Sequence, residues 1–144
     1  MKNNKLSIEE LLNQWGQRTV FVSRDYTISL LMSELKNTDK LPKEINDILK
    51  TFNTEQLFAL KYLLISCVDT SFHDTLWSIE SYPEYKLMLE HSKESLLNVD
   101  EELNAVFGTG ITGAILDYVD KFSKYNTADE FLETGKLEKE SEDK

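Results

Sequence analysis

The chain is poor in the residues that turn, break or cross-link a fold. Of 144 residues, five are glycine, two are proline and one is cysteine. A single cysteine, Cys67, allows no internal disulfide, which favours a reducing, cytosolic setting. Few glycines and prolines leave few places for tight turns, so the elements between them should be long. No apolar run approaches the roughly 20 residues of a membrane span, and none follows residues 1–5 as it would in a secretory signal. The second half of the chain lacks positive charge. Residues 1–72 carry nine Lys/Arg and nine Asp/Glu, whereas residues 73–144 carry seven and seventeen, so the net charge of −10 falls entirely in the second half. That balance speaks against nucleic acid or an anionic membrane as a ligand, since both require a basic footprint. It favours a cationic protein partner, with plain solubility as the alternative reading.

Hydrophobic content is ample, at 40% of the chain with 10% aromatic, and a chain this long can bury a real core. Its central stretch is 54–82. Thr54 suits an N-cap, and Glu55 suits the positive end of a helix. From Leu57 to Val68 the apolar residues surround the helix axis, interrupted by Lys61 and Ser66, which predicts a helix buried on most sides. Cys67 lies in this run and reads as a small core residue. Asp69, Thr70 and Ser71 are adjoining poor helix formers and mark where the helix would break or kink. Pro83 ends it. Unbroken, the helix would reach ~40 Å.

Around this helix the pattern is helix after helix. Ser7 and Glu10 form a capping box ahead of Ile8, Leu11, Leu12 and Trp15, with Gly16 near the helix end. The β-branched and aromatic run at 19–23 predicts a short extended segment. Helices then follow over 28–35 and 42–52, the latter with Pro42 at its first position. Beyond Pro83 a helix is expected over 85–97, another from Asp100 as N-cap to Phe107, and a strong one over 114–122. The expectation is an all-α bundle of about six helices around a long central helix, as one domain over 1–125. Residues 126–144 are expected as an acidic, largely flexible tail, with a weak helix at 128–133.

Two patterns invite a chemical reading. Gly108, Gly110 and Gly113 spell GxGxxG ahead of a helix, with Asp129 at the distance of a ribose-binding acid. A dinucleotide site also needs a preceding strand and βαβ units, and residues 103–107 read as helix. The glycines are therefore expected to serve a helix–helix connection, and no cofactor is predicted. Asp69, His73 and Glu80 share one face of the central helix, with Trp77 beside them. They could form a metal half-site or an acid–base pair, but at most three ligands are on offer, and the paired Glu-x-x-His pattern of di-iron bundles is missing. The plainer expectation is that Asp69 accepts a hydrogen bond from His73. A partner surface anchored on Trp77 is the other option. No catalytic or metal-binding residue is assigned.

The remaining signal is acidic and aromatic. Glu101, Glu102, Asp117 and Asp120, with Glu84, Glu90 and Glu94, recur among Tyr82, Tyr85, Tyr118 and Tyr125. Acids speed the approach of a basic partner and tyrosines hold it. In type alone, a small acidic helical protein with few catalytic candidates is similar to bacterial immunity proteins and to small phage-encoded inhibitors. No motif here is specific to either, so no functional residue is carried over. The expected function is a non-enzymatic, cytosolic inhibitor or immunity-type protein that neutralises a basic partner such as a toxin. Glu101, Glu102, Asp117, Asp120, Tyr118 and Tyr85 are its candidate binding residues. A small metal-binding or acid–base enzyme using Asp69, His73 and Glu80, and a dimeric regulatory subunit, are the alternatives.

Overall fold

A computed structural model describes residues 6–92 and 95–139. Glu94 and residues 140–144, to which the sequence assigned an acidic position and the end of a tail, lie outside the described residues. The fold is mostly helical with a small two-stranded sheet. In chain order, α1 (Ile8–Thr19) runs into a π-helix (Val20–Asp25) and α2 (Tyr26–Lys36). A 3₁₀ turn (Thr38–Lys40), α3 (Lys43–Leu49) and α4 (Thr54–Ser81) follow. Then come β1 (Met88–Ser92), β2 (Ser95–Asn98), α5 (Val99–Phe107), α6 (Ile111–Phe122) and α7 (Ala128–Thr134). The chain divides into two units: Met1–Phe21 with Ser71–Ser123, and Val22–Thr70 with Lys124–Lys144. The division falls inside α4.

In the first unit α1, α5 and α6 enclose an apolar core that includes Leu12, Leu103, Ile111 and Ile115, each at most 1% exposed. The capping box at Ser7 is present, with the Glu10 amide donating to Ser7 Oγ and the Ser7 amide to Glu10. Gly16 is not a helix end. It lies inside α1, where an added Cβ would sit 2.3 Å from the Tyr118 ring, so its missing side chain lets α1 approach α6 closely.

The helix expected over 85–97 is instead an antiparallel hairpin, with Leu89 opposite Leu97 and Met88 opposite Asn98. Exposure alternates along it, Met88 and Glu90 outward and Leu89 and His91 inward, which is the period of a strand. Leu87 and Leu89 thereby reach the core from one side of the hairpin. Asn98, not Asp100, caps α5, accepting from the Asp100 amide at 3.2 Å.

The second unit packs Ile28, Met32, Ile65, Tyr125, Ala128 and Phe131, with Phe58 stacked on Phe131 at 4.7 Å. The run at 19–23 is not extended. Buried positions Val20, Arg24, Ile28 and Met32 recur every four residues while Phe21 and Val22 face out, a helical period that no strand can satisfy. Residues 126–139 contain a capped helix, α7. Thr127 and Glu130 form a capping box, Gly135 ends α7 at φ 68°, and Phe131 is 2% exposed. Asn126 closes the segment by donating from Nδ2 to the Lys136 carbonyl at 2.8 Å. Beside the charged residues, Tyr125, Ala128 and Phe131 are buried in the apolar core of this unit.

Candidate functional site

α4 presents the polar line read from sequence, but its members do not act together. Asp69 belongs to a buried ion group. Arg24, 1% exposed, donates from Nε to Asp69 Oδ1 at 2.7 Å and from Nη2 to the Asn126 carbonyl at 2.9 Å. Its Nη1 reaches the Tyr125 carbonyl at 3.2 Å and the Asp25 carboxylate at 3.4 Å. Asp69 also accepts from the Ala128 amide at the start of α7, and Asp25 from the Lys124 amide. A guanidinium taken out of water needs this many acceptors. The expected break at Asp69, Thr70 and Ser71 is absent. An aspartate weakens a helix by competing for its backbone, and here Arg24 and Ala128 occupy the carboxylate.

His73 therefore does not pair with Asp69. Its Nδ1 lies 3.3 Å from Asp74, in a partly exposed position. Trp77 is 52% exposed. Glu80 faces the start of α6, where it accepts from the Thr112 amide at 2.7 Å and from the Thr112 hydroxyl. Among the described residues no three His, Cys, Asp or Glu are grouped so as to hold a metal ion. The acid–base reading loses its carboxylates to structural bonds. Cys67 is exposed, and Leu63 beside it is 56% exposed, so α4 is not covered all round as its apolar run implied.

The glycine motif is likewise structural. The residues before it form α5, not a strand. Gly108 takes φ 72° to end that helix, and Gly110 is the N-cap of α6. The α6 N-terminus, where an anion would bind, is occupied by two of the protein's own carboxylates. Asp100 Oδ1 accepts from the Ile111 amide at 3.1 Å, and Glu80 accepts from Thr112.

The acidic and aromatic residues are sorted by the fold. Tyr118 is 5% exposed, edge-on to Trp15 at 6.1 Å and stacked on Phe122, so its ring is core and not a surface anchor. Burial, followed by the nearby charges of Asp117 and Glu9, pushes its hydroxyl above the ordinary tyrosine pKa. Asp117 and Asp120 are exposed on α6, Glu102 is half-buried and Glu101 is exposed.

Glu101 and Tyr85 do meet. With Tyr82, Lys86, Asp100 and Glu80 they line a cleft of about 260 Å³ between the end of α4 and the start of α5. Tyr82 and Tyr85, 53% and 62% exposed, stand edge to face with centroids 6.1 Å apart. Glu101 accepts from Asn98 Nδ2 and lies 3.8 Å from Lys86 Nζ, an exposed pair of the kind that contributes little. In the sequence Tyr82 marks only the end of the central helix and is one of several tyrosines. The signal that could have singled it out is the Tyr-Pro-Glu-Tyr turn, which throws both rings off the helix end.

No helix among the described residues is long and apolar enough to cross a membrane. Comparisons with family models, curated proteins and solved structures found no match.

Proposed function

We propose that this chain is a protein-binding module that occludes a basic protein partner in the cytoplasm, in the manner of an inhibitor or immunity-type protein. The carrying observation is the pair of largely exposed tyrosines, Tyr82 and Tyr85, set edge to face beside Glu101 in one cleft. Exposed aromatics beside a concavity are costly to keep in water and are enriched at binding hot spots. The net charge of −10 supports the same reading, because it draws a basic partner in and raises the association rate. Asp117 and Asp120, exposed on α6, add to that field, whereas Tyr118 contributes only to the core.

The test is affinity capture from host lysate at low and moderate salt, followed by binding of the purified candidate. The wild type is compared with a variant carrying Glu101→Lys, Glu102→Lys, Asp117→Lys and Asp120→Lys. A basic protein bound by the wild type, with association slowed at least tenfold in the variant, is the expected result. A partner with no excess of positive charge, or an association rate indifferent to the reversal, would overturn the proposal.

A further inference from the structure

Within the reading of the chain as a protein-binding module, and resting on it, we infer that the Tyr82–Tyr85 cleft is a socket for one arginine side chain of the partner. Three features of the cleft point to a guanidinium. Among the described residues its lining holds the carboxylates of Glu80, Asp100 and Glu101 against one cation, Lys86, so it is net negative. Glu80 and Asp100 are tied to the α6 N-terminus through Thr112 and Ile111, which fixes them on a rigid element. Glu101 is the adaptable member. It is held by the Asn98 side chain and by Lys86 at 3.8 Å, an exposed ammonium that an incoming cation can displace. The tyrosine rings supply the second kind of contact, since a planar cation stacks on an aromatic face while its fork reaches a carboxylate. Lysine, a hydrated point charge, uses this combination less well.

The size of the cleft favours a side chain over a metabolite. About 260 Å³ falls just below the roughly 300–1,000 Å³ of small-molecule pockets, which bury most of their ligand. With Tyr82 and Tyr85 more than half exposed on its rim, it leaves aromatic surface for the residues on either side of the arginine. The occupant is therefore an arginine presented by a protein.

The test uses the full chain and three short capped peptides that differ only at the central residue: arginine, lysine or citrulline. Binding is followed by NMR shifts of the Tyr82 and Tyr85 ring protons. The arginine peptide should saturate these shifts, with lysine at least threefold weaker and citrulline, which keeps the shape but not the charge, at least tenfold weaker. Glu101→Gln and Tyr85→Ala should each weaken the arginine peptide at least fivefold. Asp47→Asn, which removes the same charge from an exposed position on α3, should change it less than twofold. Equal binding of citrulline, equal loss in Asp47→Asn, or free arginine amide binding as tightly as the peptide would each overturn the socket. If the purified partner binds Glu101→Gln and Tyr85→Ala as well as wild type, the socket fails while the protein-binding proposal stands. If no basic partner is found, both fail.

Discussion

In the unit formed by Met1–Phe21 and Ser71–Ser123 the centre is apolar and charge is kept at the edges. The carboxylates of Glu80 and Asp100 sit at the α6 N-terminus, where the helix dipole favours them. In the unit formed by Val22–Thr70 and Lys124–Lys144 the charge is inside. Arg24 and Asp25, 1% and 2% exposed, lie at its centre, and the guanidinium is answered by Asp69, Asp25 and two backbone carbonyls. An apolar core accepts many sequences of similar volume. A buried guanidinium accepts only an arrangement that satisfies its donors, so it specifies which segment closes over it. In this protein that segment is 124–128, brought in by its own carbonyls and amides.

That contrast can be broken most sharply at Arg24. Arg24→Ala removes the guanidinium that faces the Asp25 and Asp69 carboxylates and should cost about 3–5 kcal/mol, the usual loss on breaking a buried ion pair. Urea denaturation measures it, and hydrogen exchange should speed up at the Asn126 and Ala128 amides. A loss under about 1 kcal/mol would mean that apolar packing alone holds this unit.

In the other unit the matching probe is steric. Gly16→Ala would gain up to about 1 kcal/mol of helix propensity, but it places a methyl 2.3 Å from the Tyr118 ring, and overpacking of this kind costs about 1–3 kcal/mol. The expected net effect is a lower melting temperature, restored in part by Tyr118→Leu. If Gly16→Ala alone stabilises the protein, the close approach of α1 and α6 is not as described.

The smallest effect is expected at the Tyr118 hydroxyl, a buried polar atom without a hydrogen-bond partner among the described residues. Tyr118→Phe should change stability by no more than about 1 kcal/mol at pH 7. The two proteins should part at alkaline pH. Because burial raises the Tyr118 pKa in the folded state, the folded chain binds the proton more tightly than the unfolded chain does. Stability is then lost as pH rises from the ordinary tyrosine range through the raised value. Melting temperatures followed from pH 7 upward should fall less steeply in Tyr118→Phe, and identical slopes would show that this hydroxyl does not carry the effect.

Local rules explain which parts of this structure could be read in advance. The capping box at Ser7, the long helix up to Pro83 and the strong helix ending at Phe122 follow from caps, apolar content and 3.6-residue periodicity in the local residues, although α4 is capped by Asn53, which accepts from the Gln56 amide at 2.9 Å, and not by Thr54, which lies inside it. The helical class follows from the same signals, as does the structural role of the glycines, because a dinucleotide site would have needed a strand before them. The 85–97 stretch reads as a helix because Leu87, Met88 and Leu89 are consecutive apolar residues whose inward or outward sense depends on the surface they meet. β-branched residues favour strands, yet Val20 to Val22 lie in the π-helix, whose buried side carries Val20 and Arg24.

Composition and periodicity determined the helical class, the main helix positions and the gathering of negative charge in the second half. The tertiary structure alone decided which acids are partners of the protein's own backbone and which remain at the surface. Asp69 and Glu80 look equivalent on one face of α4, yet one neutralises Arg24 and the other caps α6. Tyr118 and Tyr85 look equivalent among the acids, yet one is core and the other stands at a cleft. The physical reason is that a side chain's hydrogen-bond partner and its access to water are set by residues tens of positions away. No local pattern encodes them.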